Sequence, residues 1–261
     1  MRTWAYIDGF NLYYAIRNVG YKWIDVKELT KAVMPPSTNV EKLKYYTAHV
    51  SGVSDPDQPR RQQIYLNALG TIPEIEIFFG QFLAKSIWRP LLNLPIGDRP
   101  LHYGSANSTI PPGNHFVNPD PTILDNTRES LQVGKYGKGN RILRNPAVDA
   151  IKAMVHAMEE KGSDVNLASH LINDGWANRY EAAIVISNDT DLVEPIRIVV
   201  QELKKPVTIL SPSKLRGDKY EAASRLLSVA SHVRYIRKSH LNSSLFPDTI
   251  SGTTITKPTG W

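Results

Sequence analysis

No cysteine occurs among the 261 residues. That absence excludes a disulfide framework, thiolate zinc sites, and cysteine-based catalysis or redox chemistry. Long apolar runs are missing too: the longest, such as Ala182 to Ser187, are far too short to cross a bilayer. The opening Met1-Arg-Thr-Trp-Ala-Tyr-Ile-Asp8 reads as a strand from its first residues, which leaves no room for a signal peptide. The expectation is a soluble cytoplasmic protein with no membrane partner. No internal repeat is visible. The length suits one generous domain, or a core domain with a large insertion, and it is enough to bury a proper core. What the chain does carry is an excess of cations, 31 Lys and Arg against 25 Asp and Glu, a formal charge of +6. That balance points weakly to a polyanionic partner.

Two regions alternate strand and helix signals. Trp4 to Asp8 is an apolar run ending in a carboxylate, and Asn11 to Val19 and Val26 to Val33 have helical spacing. Leu43 to Val50 and Glu74 to Leu83 alternate as strands do, with a helical Pro59 to Gly70 between them. From Ala84 to Pro146 periodicity dissolves into Pro, Gly and Asn, an irregular insertion long enough to be functional and a candidate dimer arm for a homo-oligomer. Helices are then expected over Ala147 to Glu160, Ser163 to Asn173, Leu192 to Leu203 and Tyr220 to Ala230. Buried strands fall at Ala182 to Ser187 and Val207 to Leu210, with an edge strand near Val233 to Ile236. The Ser- and Thr-rich stretch 242–261 reads as a loose polar tail on a single domain spanning 1–241. Such alternation means an α/β fold with a mostly parallel sheet of about five strands, flanked by helices. Right-handed crossovers give the order 3-2-1-4-5.

That order has a chemical consequence. Ligands of open α/β sheets bind outside the carboxyl ends of the strands, where the winding reverses. Asp8 closes the first strand and Ser187-Asn188-Asp189-Thr190-Asp191 closes the fourth, so three carboxylates meet in one crevice. Clustered carboxylates resist ionisation unless a positive group sits among them, and a hard divalent cation, Mg²⁺ or Mn²⁺, suits oxygen ligands. Such a site serves phosphoryl transfer. The competing reading makes each Asp the N-cap of the helix that follows. Asp164, in a helical first turn after Gly162-Ser163, is favoured there by the helix dipole whatever its role.

Three motifs carry a resemblance. Tyr6-Ile-Asp-Gly-Phe-Asn-Leu12, Glu160-Lys-Gly-Ser-Asp-Val-Asn-Leu-Ala168 and Ala183-Ile-Val-Ile-Ser-Asn-Asp-Thr-Asp-Leu192 resemble, in order, the signature segments of the NYN domain. That family is the LabA-like branch of the PIN-like nucleases. The resemblance covers about residues 3–83 and 158–210, and it leaves out the insertion and the tail. It implies a Rossmann-like PIN-type fold and a metal-dependent endoribonuclease. Asp8, Asp164, Asp189 and Asp191 would hold Mg²⁺ or Mn²⁺, with Asn11 as a supporting polar group; Ser187, Asn188 and Thr190 stand beside them. One departure is Leu167-Ala-Ser-His170, where many relatives carry an acidic residue in place of His170. A buried, hydrogen-bonded histidine is the simpler reading of His170; a phosphate donor or proton carrier is the other.

An acidic pocket that cuts RNA needs cations on its rim. The candidates are Lys135, Lys138, Arg141 and Arg144, with Tyr136 to stack on a base, and Lys214 and Arg216 after the fifth strand. A solvated loop is the competing reading of the first group. Trp88 and Trp176 read as packing residues. A catalytically weak RNA-binding or regulatory module on the same fold is the alternative function. Asp189-Thr-Asp-Leu-Val193 also matches a haloacid-dehalogenase nucleophile motif, but too little chain follows for that core.

Overall fold

The computed structural model describes residues 1–17, 20–52, 55–90, 124–130, 149–212 and 222–261, and of 84–90, 124–130 and 149–159 the backbone alone. The chain divides into two compact units, one of Met1–Phe82 with Glu160–Trp261 and one of Leu83–Glu159.

The first unit is a parallel α/β layer. Its strands are β1 (Thr3–Asp8), β2 (Val40–Ala48), the opening of β3 (Ile75–Pro90), β6 (Ala182–Ile186), β7 (Val207–Ser211) and β8 (His232–Tyr235). Within it the order is β3-β2-β1-β6-β7-β8, and each described pairing is parallel. β1, β6 and β7 are buried almost throughout, as strands covered on both faces must be, whereas β8 shows the partial exposure of an edge. Alternate residues of β1 serve two cores. Ala5 and Ile7 join Leu12, Leu29, Leu43, Leu66 and Leu69, while Tyr6 joins Leu167, Leu171, Ile196 and Ile209 on the other face. Each such side chain, fully withdrawn from water, contributes roughly 1.5–3 kcal/mol.

Helices cover both faces: α1 (Gly9–Ile16), α2 (Val26–Val33), α3 (Gln58–Leu69), α4 (Ser163–Trp176) and α5 (Val193–Arg197), with short α6 (Ser224–Leu227) and α7 (Lys238–Asn242). α2 starts where Asp25 accepts hydrogen bonds from the amides of Lys27 and Glu28, which satisfies two orphan donors of its first turn. α5 follows a 3₁₀ turn at Thr190–Leu192 and runs on as a π turn, Ile198–Glu202, so the helix expected over 192–203 is three short geometries. Of the helix expected over 220–230, four residues of α6 are helical among those described.

The second unit contains β4 (Leu124–Ser130) paired antiparallel with β5 (Asp149–Lys161), whose last residues re-enter the first unit. The strand count therefore exceeds the expected five, and the order differs accordingly: the edge strand expected near 233–236 forms as β8, and β4 and β5 arise where an irregular insertion and a helix were expected. For β5 the Ala, Met and Glu content favours a helix, but Ile151, Ala153 and Val155 also alternate. Pairing of Lys152 and Ala153 with Asp125 and Leu124 overrides the propensity.

The segment 242–261 is not loose. Ser244 accepts from the Asp25 amide at 2.8 Å, Phe246 donates to the Trp23 carbonyl at 3.1 Å, and the Trp23 indole donates to Pro247 at 2.9 Å. Phe246 and Ile250 join the core and Trp261 packs against it. Composition misled here because the few apolar side chains, spaced among Ser and Thr, are the ones that dock. Trp176 departs from expectation in the other direction: at the end of α4 it is 78% exposed and does not pack. Trp176→Ala is accordingly expected to change unfolding free energy by less than about 0.5 kcal/mol in urea titration, against the several lost when a buried Trp is truncated.

Candidate functional site

β1 and β6 are neighbours, so the segments that follow them emerge side by side. Asp8 is 4% exposed, and both of its oxygens are engaged. Oδ1 accepts from the Asn11 amide at 2.9 Å, capping α1, and Oδ2 accepts from the Ser187 hydroxyl at 2.9 Å. Ser187 Oγ in turn accepts from the Asp189 amide at 3.1 Å, and Asp189 Oδ1 accepts from the Asp191 amide at 2.9 Å. Asn11 Oδ1 accepts from the Asn188 amide at 3.1 Å, and Asn188 Oδ1 accepts from the Ala223 amide at 2.8 Å. The β1–α1 corner and the β6 loop are thus laced together through side chains. Asp8 and Asp189 are N-caps, as the structural reading of the sequence has it, and they also stand among neighbouring carboxylates.

Asp164 enters from the first turn of α4. Its carboxyl is pushed up to about 7 by burial, then by the charges of Asp8, Asp189, Glu160 and Asp191. Asp8 is pushed up to about 6, chiefly by burial; hydrogen bonds from Asn11 and Ser187 oppose the rise, and Asp189 and Glu160 add to it. Asp189 and Glu160 thus bear on both Asp8 and Asp164, and Asp191 on Asp164, which makes a cluster of five carboxylates. Asp191 and Thr190 lie at the exposed lip of the cluster.

Glu160 is the member that sequence reasoning missed as a site residue, although it opens the second motif. Its carboxylate accepts from the Ser163 amide at 3.0 Å and the Ser163 hydroxyl at 2.7 Å. Gly80 makes room for this corner: a Cβ there would collide with Glu160 Oε1 and stand 2.7 Å from the Lys161 carbonyl. The sequence signal was available, because a Glu three residues before a helix-starting Ser is placed to bond that helix's first amide.

His170 is half-buried and bonded. Its Nδ1 lies 3.0 Å from the Tyr46 hydroxyl, and its ring stands edge-on to Phe78 at 4.5 Å between centroids. Burial lowers its pKa, followed by the charge of Lys44, with Asp174, Glu76 and Arg179 the other groups that act on it. None of the five clustered carboxylates is among these. Lys135, Tyr136, Lys138, Arg141, Arg144, Lys214 and Arg216 lie outside the described residues.

The donor set at the cluster is all oxygen and self-repelling, which suits a hard divalent cation. As the side chains stand, no group of three or more carboxylate or imidazole side chains among the described residues is arranged to hold a metal ion. The chemistry of the donors fits such an ion; the closed coordination shell is not preformed.

The two raised carboxyls have a thermodynamic consequence. The folded state keeps these protons to higher pH than the unfolded chain does, so stability falls as pH rises from about 4 to beyond 7. His170 and His240, lowered by burial from 6.5, act in the opposite sense below that pH. Between pH 6.5 and 8 the carboxylates dominate, and the urea midpoint is expected to fall across that window. A flat or rising midpoint contradicts the buried, coupled cluster.

Comparison with known proteins gives limited bearings. No family model matches the chain. One relative is 6-hydroxy-3-succinoylpyridine 3-monooxygenase HspA of Pseudomonas putida, 24% identical, aligned over all of this chain and 75% of its own. A crystal structure of a protein of unknown function from Vibrio parahaemolyticus superposes with a TM-score of 0.44 at 15% identity, covering 94% of this chain and 96% of that one. Among the described residues no helix is long and apolar enough to cross a membrane.

Proposed function

We propose that the chain is a divalent-cation-dependent endoribonuclease of the NYN kind. The observation that supports this most is that Asp8, at the carboxyl end of β1, and Asp164, in the first turn of α4, are both raised by burial and by the charges of neighbouring carboxylates, Asp189 and Glu160 among them. A fold gains nothing from gathering mutually repelling carboxylates unless a cation relieves them. Asp8, Asp164, Asp189 and Asp191 would hold Mg²⁺ or Mn²⁺, which supplies Lewis acidity and neutralises charge on a phosphodiester. Asn11 fixes the β6 loop through the Asn188 amide, and Ser187 orients Asp8 and Asp189 together. Glu160 anchors the start of α4, which aims Asp164.

The test is cleavage of labelled RNAs and single-stranded DNA with Mg²⁺, Mn²⁺ or EDTA, beside Asp189→Asn. Cation-dependent cutting of RNA that the variant lacks is the expected result. RNA binding without cutting under any cation would leave the alternative, a regulatory RNA-binding module on this fold. A second reading is favoured by the Pseudomonas putida relative, whose name describes hydroxylation of a small aromatic molecule. Oxygen-dependent conversion of that named substrate, together with no RNA cleavage, would replace the nuclease reading.

A further inference from the structure

A cavity of about 50 Å³ opens to solvent between α1, β2 and α3, beside the chain that leaves Asp8. Its walls are aromatic for a geometric reason. Phe10, Tyr13 and Tyr14 fall three and four residues apart on α1 and so share one face. Phe10 and Tyr14 stack at 6.2 Å, and Tyr13 meets Tyr14 edge-on at 5.6 Å. Opposite them, Tyr65 contacts Tyr45 at 6.4 Å and Trp261 at 5.8 Å.

The floor and the rim differ. Tyr45 and Tyr65 are buried, and the Tyr65 hydroxyl already donates to the Ile24 carbonyl at 2.9 Å. Tyr14 is 49% exposed, so part of its ring meets solvent at the mouth. The Tyr45 hydroxyl lies so near Gly9 that a Cβ there would stand 2.7 Å from it.

Cations flank the rings. The Arg17 guanidinium sits 4.6 Å from the centre of the Tyr14 ring, and its Nε is buried with no hydrogen-bond partner. Arg17 makes no ion pair among the described residues. Lys22 stands 6.0 Å from the Trp261 ring centre. Arg61, the nearby alternative, is already paired with Asp55.

We propose that this cavity binds a flat aromatic ring carrying an anionic group, the ring against Phe10, Tyr14 and Trp261 and the anion toward Arg17. A single aromatic ring already exceeds this volume, so the ring rests across the mouth of the cavity, with its substituent toward the guanidinium that Arg17 holds over Tyr14. Two sources share this chemistry: the base of a nucleotide with its phosphate, and a free aromatic acid. The rings supply stacking area whichever arrives, and the guanidinium supplies charge to either.

Saturation-transfer NMR on the full chain tests this with adenosine monophosphate, uridine monophosphate, benzoate and inorganic phosphate as probes. At least one ring-bearing anion is expected to bind at millimolar concentration, and inorganic phosphate is not expected to displace it. Tyr14→Ala and Arg17→Gln should each weaken that binding about five-fold or more, with thermal midpoints close to that of the parent. Trp176→Ala, which removes an exposed ring elsewhere, should leave it unchanged. Binding of the nucleotides without benzoate assigns the first source, and the reverse assigns the second. Silence from every ring probe, or binding that survives both cavity variants, overturns the proposal. The experiment reads no catalysis, so its failure leaves the nuclease reading untouched.

Discussion

Asp8→Asn is expected to stabilise the protein at pH 8 while abolishing the cation-dependent cleavage of RNA proposed for it. Both effects have one origin. The carboxylate is buried beside Asp189 and Glu160, and folding lifts its pKa from 3.8 to about 6, a destabilisation of about 3 kcal/mol at alkaline pH. An asparagine of the same shape keeps the acceptor for the Asn11 amide and removes the charge. Its NH₂ can donate to Ser187 Oγ, whose own proton then turns elsewhere. The thermal midpoint should rise at pH 8 and move little at pH 4, where the native side chain is already neutral. Mg²⁺ or Mn²⁺ should stabilise the parent by mass action and stabilise the variant much less. On the proposed reading, cleavage should fall by about 100-fold or more, since one of the four carboxylates proposed to hold the cation is then neutral. A variant less stable than its parent at pH 8 would show that Asp8 acts mainly as the N-cap of α1. A more stable variant that still cuts RNA would separate the cluster from the chemistry.

Asp174→Ala carries the largest expected loss of stability. Asp174 is 1% exposed near the end of α4 and accepts from three donors: Lys44 Nζ at 2.5 Å, the Tyr6 hydroxyl at 2.8 Å and Arg179 at 2.7 Å. Burial alone would raise its pKa, but the hydrogen bonds from Lys44, Tyr6 and Arg179 outweigh it and hold the carboxyl below the usual range. Lys44 is itself buried on β2, its ammonium 5.3 Å from the Trp4 ring and 5.5 Å from Phe78. Removing the carboxylate strands that ammonium and the Tyr6 hydroxyl, which costs about 3–5 kcal/mol. Chemical denaturation at pH 7 reads the loss. The double variant Lys44→Met with Asp174→Leu should be more stable than Asp174→Ala, because no buried charge is then left unpaired; Arg179, which also loses its partner, is half exposed. Since the folded pKa of Asp174 is depressed, its contribution is present at neutral pH and disappears as pH falls below about 4. If the single variant loses less than about 1 kcal/mol, water reaches Lys44 and the network is not closed.

The parts of this arrangement that were legible in the sequence are the ones fixed by local pattern and winding rules. Asp8 and Ser187 are 179 residues apart, yet two apolar runs ending in polar residues, and the rule that ligands meet the carboxyl ends of strands, were enough to bring them together; the structure adds the hydrogen bond. Asp174 was not legible. It reads as one more polar residue at a helix end, and nothing local reveals that Lys44, itself on a buried strand, must find an anion there. β5 was misread because Ala, Met and Glu speak for a helix while its strand partner lies some 25 residues earlier, in a segment with no clear pattern. The docking of 242–261 was missed for a related reason: Phe246 and Ile250 are too sparse for a periodicity, and their partners near Trp23 are more than 200 residues away.

That last distance bears on how the chain acquires its structure during synthesis. Trp23 is 1% exposed, and Phe246 and the backbone around Ser244 close one side of it. β1, likewise, receives its β6 neighbour only after Ala182 has been made. At roughly 5–20 residues per second, translation of the intervening 223 residues holds the Trp23 face open for roughly 10–45 seconds. For that interval a nascent chain shows an indole and the bare side of α2 to solvent, long after both could have collapsed locally. A chaperone that recognises aromatic surface has its window there, and slowing synthesis upstream of residue 241 would lengthen it.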